Sequence, residues 1–359
     1  MIKEHEERQL FNLEKGLPPQ INAGLFGADI SFESAQIILI EVPFEATTSY
    51  GGGTSKAPSA LVPASHQLDL FDPHCGEAYK VGIHLQTCDP ELHQWNKTGK
   101  EAAAKVIKVL ETTGNTAESE LEIVNSISKK VDLYVEEKAR EALAKRKIPA
   151  VLGGDHSCPL GLLRALNSEY QDFGILHIDA HHDLRRAYEG FHYSHASIMY
   201  NVLKECSNVS KIVQIGIRDF SKEEFTRAEH DERIVSVYDE SLARARFRGE
   251  GLYKSLVDAL QCLPNRVYIS FDIDGLEPSL CPGTGTPVPG GLRFEEAEQL
   301  LLLLEELGKK VIGFDLCEVS PGEGEWDANV GARILYKLCG ITACTQSLEH
   351  LVDEGGAQL

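Results

Sequence analysis

The stretch that decides the fold is FGILHIDAHHD, residues 173–183. Its first part, residues 173–179, is an apolar run of the length of a strand, and four of its last five residues are aspartate or histidine. Continuous apolar character, rather than alternation, predicts a strand that is covered on both faces, as in a parallel sheet. Ligands of such sheets bind beyond the carboxyl ends of the strands. This one stretch therefore predicts both a parallel sheet and the position of a functional site.

Similar apolar runs recur along the chain and alternate with amphipathic, helical patterns. Further strands are predicted at 36–42, 148–152, 211–215, 234–238, 266–272 and 310–315. Helices are predicted at 122–147, 159–168, 196–206, 222–229, 250–262, 293–308 and 327–339. Alternation of this kind builds βαβ units and predicts an α/β sandwich.

The chain has no internal repeat, low-complexity tract or Pro/Ser-rich linker, which favours one catalytic domain at 36–345. Residues 1–35 precede the first strand and are predicted to form an N-terminal arm. Residues 72–121 lack a clear period and contain two prolines and several glycines, so they are predicted to be a loop-rich insertion, either functional or an oligomer contact. Residues 346–359 are predicted to be a C-terminal tail.

Charge and composition exclude several classes of protein. The chain carries 55 acidic against 35 basic side chains, a net charge of −20, which opposes binding to nucleic acids or anionic membranes. A hydrophobic fraction of 42% with 25% charged residues is typical of a globular protein. The start is charged, and the longest leucine tract, Leu300 to Leu304, is far shorter than the ~20 residues of a membrane span. Nine dispersed cysteines without a C-x-x-C pair indicate reduced thiols and a cytoplasmic location.

Three polar clusters follow directly on predicted strands. They are GGDHS at 153–157, DAHHD at 179–183 and DID at 272–274. Because the carboxyl ends of parallel strands meet at one edge of a sheet, we expect the clusters to converge. In extended chain, residues two apart face the same way, which places 179, 181 and 183 together, and likewise 272 and 274. With His156 this gives two imidazoles and four carboxylates.

Four buried carboxylates cannot all stay ionised without cations, because desolvation and mutual repulsion would protonate them. Two divalent ions would balance the charge. Oxygen-rich ligation with some imidazole suits Mn²⁺ best, with Zn²⁺, Co²⁺ and Ni²⁺ as alternatives. A single D-x-D is usually a solvated loop, and GGDHS alone would fit a turn and a helix cap, but three clusters together favour a metal site. We expect His177 to be a core residue, His182 to lie outside the ligand set and Asp155 to orient His156.

These three clusters, together with SFDIDGLEPSLCPGTGTPVPGG at 270–291, resemble the motifs of the ureohydrolase (arginase/agmatinase) superfamily, and the likeness extends over about residues 43–338. The resemblance implies a three-layer α/β/α sandwich with a mostly parallel central sheet. It also implies a binuclear manganese centre, a trimer or hexamer, and hydrolysis of a guanidino group to urea and an amine by a hydroxide held between the metals.

The resemblance also implies roles for individual residues. Asp179 and Asp272 would bridge both ions, His156 and Asp183 would complete one, and His181 and Asp274 the other. Asp183 would also orient the hydroxide.

Two further residues match the family's substrate-binding and catalytic positions. Glu318 would hold the guanidinium, and His195, with a pKa near its ordinary value of about 6.5, would bind substrate and shuttle a proton. As alternatives, His195 would be a surface histidine and Glu318 an exposed strand-end acid. Glu277 departs from the family's usual aspartate at a position that is not a ligand. The glycine-rich loop at 51–54 resembles the family's loop that overhangs the active site.

The substrate is less well determined. Arginases carry an asparagine- and serine-bearing stretch after D-A-H-x-D, and this chain has LRRAYEG at 184–190 instead, which disfavours arginine. We expect a small cationic guanidino substrate, agmatine, with guanidine and 4-guanidinobutyrate (read by Arg185) as alternatives and arginine or formimidoylglutamate behind them. Two other classes remain open: a mononuclear zinc deacetylase of the same fold and a non-catalytic relative.

Overall fold

Eight strands form one sheet in which every neighbouring pair is parallel, in the order β2-β1-β3-β8-β7-β4-β5-β6. The computed structural model describes residues 2–348. The strands are β1 Ile37–Val42, β2 Ile83–Gln86, β3 Ile148–Gly153, β4 Phe173–Ile178, β5 Val209–Ile217, β6 Ile234–Tyr238, β7 Arg266–Asp272 and β8 Lys310–Cys317. Strands β3, β8, β7 and β4 are adjacent, so the polar clusters that follow them lie at one edge.

Eleven α-helices lie along the described residues. They are α1 Ile2–Glu14, α2 Ala57–Ser65, α3 Pro90–Thr113, α4 Glu118–Ala144, α5 Leu160–Glu169, α6 Ile198–Glu205, α7 Lys222–His230, α8 Asp239–Phe247, α9 Tyr253–Gln261, α10 Phe294–Glu306 and α11 Trp326–Gln346. In residues 2–348, none of these helices has the length and apolar character needed to cross a membrane.

Both faces of the sheet are buried, which explains the unbroken apolar runs of the strands. Two successive side chains of β1 show this: Leu39 packs in one core and Ile40 in the other. The first core joins the sheet to α2, α8, α9, α10 and α11. The second joins it to α4, α5, α6 and α7. The predicted three-layer α/β/α sandwich is confirmed, and its sheet is entirely parallel.

The prediction that residues 72–121 are loop-rich is wrong. The segment contains the edge strand β2 and the 24-residue helix α3. Two of the residues that suggested loops mark the ends of that helix. Pro90 is its first residue, and Gly114 is its left-handed C-cap with a φ of 70°. Gly99 lies inside α3, where a Cβ would come within 2.8 Å of Ala46. The segment therefore packs against the sheet domain as regular structure.

The predicted N-terminal arm is docked on the body of the protein. Glu6 of α1 accepts hydrogen bonds from the Ser31 backbone at 2.8 Å and from the Ser34 hydroxyl at 2.8 Å. Leu10 is buried in the first core. The predicted C-terminal tail begins at the last residue of α11, and its residues 349–359 lie outside the described residues.

The loop after β3 depends on a close backbone approach at Gly154. A Cβ built on Gly154 would lie 2.0 Å from the Phe44 carbonyl oxygen and 2.7 Å from that of Val42. The same loop is tied by the Asp155 N–H donating to Phe44 O at 2.8 Å and by the Glu318 N–H donating to Gly154 O at 2.9 Å. This packing holds the GGDHS segment beside the ends of β1 and β8.

We therefore expect Gly154→Ala to force this backbone apart and to lower the free energy of unfolding by about 1–3 kcal/mol, the usual cost of overpacking. Gly324→Ala is the matched control, because a Cβ there meets no atom within 4 Å. Chemical denaturation of both variants checks the prediction. Equal midpoints for the two variants would contradict it.

Candidate metal centre and substrate pocket

The structure brings the six predicted metal ligands together beyond the carboxyl ends of β3, β4 and β7. His156 Nδ1 lies 3.0 Å from Asp179 Oδ2, 3.0 Å from Asp183 Oδ2 and 3.3 Å from Asp272 Oδ2. All four residues are buried. These three strands converge on one point, as their places in the sheet predicted.

A second group adjoins the first and shares one of its residues. His181 Nδ1 lies 3.3 Å from Asp179 Oδ1 and 3.1 Å from Asp274 Oδ2. Asp179 thus presents Oδ2 to one group and Oδ1 to the other. The geometry also places Asp272 beside Asp274, whose backbone N–H donates to Asp272 Oδ1 at 2.8 Å.

The path of the chain through this cluster differs from the predicted extended strand. Strand β4 ends at Ile178, and the following residues form a loop in which Asp183 has a φ of 54°. The backbone N–H of His181 donates to Asp179 Oδ1 at 2.6 Å. A tight turn, rather than alternation along a strand, therefore brings these side chains together.

Burial of like charges dominates the electrostatics of the cluster. Burial, followed by the nearby charges of Asp274 and Asp179, raises the pKa of Asp272 well above its ordinary range. Burial and the charge of Asp179 raise the pKa of Asp183 to about 6. Burial also opposes ionisation of Asp179, but His177 and His156 outweigh it and hold the pKa of Asp179 well below its ordinary value.

The residues fit a divalent metal site. His156 Nδ1 is buried and has no hydrogen-bond partner in the described part of the chain, although three carboxylate oxygens lie within 3.3 Å of it. Atoms that converge without hydrogen-bonding are arranged as ligands, and a cation among them would relieve the repulsion that raises the carboxylate pKa values. Oxygen and imidazole donors are ligands for divalent ions.

Hydrogen bonds from the strands fix the histidine and aspartate ligands from behind. His156 Nε2 lies 2.8 Å from Ser270 Oγ on β7, which leaves Nδ1 to face the carboxylates. His177 Nε2 lies 2.8 Å from Asp179 Oδ2, and Gln214 Nε2 lies 2.9 Å from His177 Nδ1. His182 is held by Gln214 Oε1 at 2.7 Å. His182 thus lies outside the ligand set as predicted, whereas His177 is more than a core residue because it orients Asp179.

Sequence reasoning missed Ser270 and Gln214. The available signal was a polar residue inside an otherwise apolar strand, as in KIVQIGI at 211–217.

The prediction that Asp155 orients His156 is wrong. Its carboxylate accepts hydrogen bonds from the Ser157 backbone at 3.0 Å and from Thr47 Oγ1 at 3.2 Å, and it does not hold the His156 ring.

His195 lies in the pocket beside the cluster and is bound to Thr47. Its Nδ1 is 3.4 Å from Thr47 Oγ1, whose own proton goes to Asp155, so the Nδ1–H of His195 is the donor. Loss of solvation, followed by the neighbouring His181 and His156, lowers the pKa of His195 to about 4. The expectation of an ordinary pKa for His195 is therefore wrong, and the ring is neutral near pH 7.

Glu318 reaches the same pocket from the end of β8. It is buried, with a φ of 62°, a left-handed conformation in which a non-glycine residue is strained. Glu318 Oε1 accepts a hydrogen bond from the His156 backbone N–H at 3.0 Å. Its other oxygen, Oε2, is buried and has no hydrogen-bond partner among residues 2–348. The alternative of an exposed acid is wrong.

Four of the six cluster residues line one cavity of about 270 Å³ together with His195 and Glu318; these four are His156, His181, Asp183 and Asp272. Its mouth is formed by Tyr50, Arg185 and Asp219 among others. Arg185 Nε is 3.3 Å from the buried Glu224 carboxylate, and its guanidinium lies 4.8 Å above the Tyr188 ring. Asp219 is exposed, and its carboxylate has no hydrogen bond or ion pair within the described residues.

A buried carboxylate anchors the glycine-rich loop at one wall of this cavity. Glu45 accepts hydrogen bonds from the Gly53 N–H at 2.6 Å and the Ser55 N–H at 3.2 Å, and it pairs with Lys100 of α3. Gly51 needs its missing side chain, because a Cβ would lie 2.5 Å from the Gly285 carbonyl oxygen. Helix α3 thereby supports the loop that carries Tyr50.

Comparisons with known proteins agree with this site. A model of the Arginase family matches residues 35–340. The chain belongs to the arginase family. It is 32% identical over 316 residues to the N(1)-aminopropylagmatine ureohydrolase of Thermus thermophilus, covering 87% of this chain and 92% of the relative. It is 29% identical to the agmatinase of Halalkalibacterium halodurans, covering 81% and 86%.

The fold of this family member is also found among solved structures. The agmatine ureohydrolase of Thermoplasma volcanium superposes with a TM-score of 0.66 at 25% identity, covering 88% of this chain and 93% of that one.

Glu277, the residue that departs from the family pattern, donates its backbone N–H to Leu292 O at 2.9 Å, and its side chain accepts a hydrogen bond from Ser279 Oγ at 3.0 Å. Its side chain does not line the cavity that holds the metal cluster.

Proposed function

We propose that this protein is an agmatinase-like amidinohydrolase that hydrolyses agmatine to putrescine and urea. The observation that carries the proposal is the unpaired Oε2 of Glu318, buried in the wall of the same cavity as the metal cluster. A guanidinium bound there would supply the missing charge and hydrogen bonds. The names of the relatives, agmatinase and N(1)-aminopropylagmatine ureohydrolase, support the same class of reaction.

We assign the cluster two divalent ions, with Mn²⁺ as the first choice and Ni²⁺, Co²⁺ and Zn²⁺ as alternatives. Asp179 and Asp272 would be shared, His156 and Asp183 would complete one ligand set, and His181 and Asp274 would complete the other. Such ions lower the pKa of a bound water from about 15.7 to near 7 and so supply the nucleophile at neutral pH. The two carboxylate oxygens of Asp179 support this assignment, because Oδ2 lies 3.0 Å from His156 Nδ1 and Oδ1 lies 3.3 Å from His181 Nδ1.

The protein's own groups would orient the reactants and move the proton. Asp183 faces the cavity and would accept a hydrogen bond from the attacking water. Because His195 donates its Nδ1–H to Thr47, its Nε2 is an unprotonated acceptor. It would take up a proton in the reaction and pass it to the leaving amine, and Thr47 would hold the ring in place meanwhile.

The charges at the mouth favour a substrate whose far end is cationic. The positive charge of Arg185 is already balanced by the Glu224 carboxylate, so Arg185 is less available to bind a substrate carboxylate such as that of 4-guanidinobutyrate. Asp219 remains free to attract an ammonium group. The aromatic ring of Tyr50, 88% exposed, adds an apolar surface for an alkyl chain.

The competing class, a mononuclear zinc deacetylase, would leave part of the cluster without a role. His156 and Asp274 would then bind no metal, yet both are buried. His156 Nδ1 lies 3.0 Å from Asp179 Oδ2, and Asp274 Oδ2 lies 3.1 Å from His181 Nδ1. Two ions would use all six residues.

The nine free cysteines suit a reducing compartment and support a cytoplasmic location.

Metal content tests the assignment of the ligands. We expect about two Mn²⁺ per chain in the loaded protein, about one in His181→Ala, and less than one in Asp179→Ala, because Asp179 serves both ions. Elemental analysis after gel filtration measures this, with the exposed Asp258→Ala as the control. A single tightly held Zn²⁺ per chain, lost in His181→Ala and kept in His156→Ala, would support the deacetylase instead.

Removal of the charge at Glu318 tests the role of its free oxygen. We expect Glu318→Gln to lower kcat/KM by about 10- to 100-fold, since a hydrogen bond to a charged group contributes about 1.5–3 kcal/mol. The metal-free variant should also unfold at a higher temperature than the metal-free parent at neutral pH. Burial and the charge of Asp155 raise the pKa of Glu318 well above its ordinary range, which costs folding free energy that a glutamine does not. Glu323→Gln, an exposed residue of the same loop, is the control. Undiminished turnover in Glu318→Gln would refute its role.

Asp219→Asn tests the charge at the mouth. We expect KM for agmatine to rise about two- to fivefold, the effect of losing an exposed ion pair. Turnover of guanidine, which has no tail, should not change. Asp172→Asn, at an exposed position before β4, is the control.

Urea release from a panel of guanidino compounds decides between the substrates. The panel contains agmatine, N(1)-aminopropylagmatine, arginine, guanidine and 4-guanidinobutyrate. Agmatine should give the highest kcat/KM. Turnover of guanidine or 4-guanidinobutyrate without agmatine would overturn the proposed substrate and leave the reaction class standing, whereas no urea from any compound in the metal-loaded protein would favour a non-catalytic relative.

A further inference from the structure

Two cysteine side chains lie near each other outside the cavity that holds the metal cluster. Cys75 lies in the turn between α2 and β2, and Cys344 lies in the last turn of α11. Each is half-buried, and Cys75 packs against Gly340, one helical turn before Cys344 on the same face of α11. Neither lines the cavity that holds the metal cluster. The proposed amidinohydrolase activity does not use either residue.

Both partners of this contact are held in place by other interactions. The turn around Cys75 is closed by the Asp72 and Gly76 backbones, which bond to each other at 2.9 and 2.7 Å. The Cys75 N–H donates to Asp72 Oδ1 at 2.8 Å, and Asp72 in turn pairs with Lys337 of α11. The turn is thus tied to the same helix that carries Cys344.

A missing side chain on α11 makes the contact possible. A Cβ built on Gly340 would lie 3.1 Å from Cys75 Cβ and 3.3 Å from Cys75 Sγ. Residues 340 and 344 are one helical turn apart and share a face of α11. Cys75 therefore packs on the face of α11 that carries Cys344, one helical turn away, and a disulfide requires two cysteines this near to each other.

The surroundings distinguish the two thiols. The Cys75 thiol lowers the pKa of Cys344, although burial and the charge of Glu305 oppose this, and His74 acts in the same direction as Cys75. The Cys344 thiol, together with burial, raises the pKa of Cys75. Cys344 is therefore the thiol with the greater thiolate character, and the thiolate is the reactive form.

We propose that Cys75 and Cys344 are a modification site that takes up a reversible disulfide from an oxidised low-molecular-weight thiol such as glutathione disulfide. The Cys344 thiolate attacks one sulfur of glutathione disulfide, forming a mixed disulfide and releasing one glutathione thiolate. The Cys75 thiolate then attacks Cys344 Sγ and releases the second glutathione. Two cysteines are oxidised, one glutathione disulfide is reduced, and the two cysteine protons pass to the two glutathione thiols.

The cross-link fastens the turn at residues 72–76 to the end of α11. Helix α11 also carries Asp327 at its other end, and Asp327 accepts a hydrogen bond from the Gly283 N–H at 2.7 Å. Tyr336, between the two ends, donates to Leu70 O. The disulfide thus constrains a helix that is bonded to two surface segments, and it acts on stability rather than on the reacting groups.

The experiment uses the full chain, incubated with glutathione disulfide and then alkylated, digested and analysed by mass spectrometry. We expect a peptide pair joined through Cys75 and Cys344, the loss of two free thiols, and a thermal midpoint about 2–5 °C higher, reversed by dithiothreitol. Cys262→Ser, which removes the exposed thiol, is the matched control and should behave like the parent.

Single variants test the order of attack. Cys75→Ser should stop at a glutathione adduct on Cys344, and Cys344→Ser should leave Cys75 unmodified. Neither variant should show the rise in thermal midpoint, and both should keep the parent's kcat. Adducts confined to Cys262, or free alkylation of both Cys75 and Cys344 in the oxidised parent, would overturn the proposal.

Discussion

The constraint on which the rest of the site depends is the burial of four carboxylates at one edge of a parallel sheet. Asp179 has enough positive charge around it to stay ionised easily, since His177 and His156 hold its pKa down. Asp272 and Asp183 lack that compensation, and burial raises the pKa of both. A protein retains such a cluster only if something cationic occupies it, because uncompensated buried charges are costly. The arrangement specifies its ligand by charge before it does so by shape.

Rigid elements supply the precision that this cluster needs. The candidate ligands lie at the ends of three strands, β3, β7 and β4, and hydrogen bonds from within the sheet fix the rings, as Ser270 does for His156 at 2.8 Å. Two pocket residues, Asp183 and Glu318, hold left-handed backbone conformations with φ of 54° and 62°. Each such conformation costs about 1–3 kcal/mol and persists only where the surroundings enforce it. These backbone conformations direct both carboxylates into one cavity of about 270 Å³. The packing of the sheet holds the two residues in these strained conformations.

The sequence predicted the strands well because both faces of the sheet are buried, so the apolar runs were unbroken. It failed for β2, which is only four residues long, and for α3, whose Pro90 and Gly114 looked like loop residues although they begin and cap a helix. The convergence of the six candidate ligands was predictable because each lies at or just after the end of a strand. Their supporting residues were not: Gln214 reaches His177 because the two are paired in the register of β4 and β5. That register is a property of the folded sheet, so the sequence shows a polar residue without showing its partner.

Reaction and substrate are encoded in different parts of this structure. The residues that would hold the metals and the guanidinium lie at the ends of central strands, where short motifs identify them. The far end of a substrate would meet surface segments instead, where Arg185 is compensated by Glu224 at 3.3 Å and Asp219 is left free. A single exchange of charge there would alter the preferred tail without touching the metal cluster. The net charge of −20 therefore has two components: most of it is solvated surface, while a few carboxylates at the pocket set what can bind.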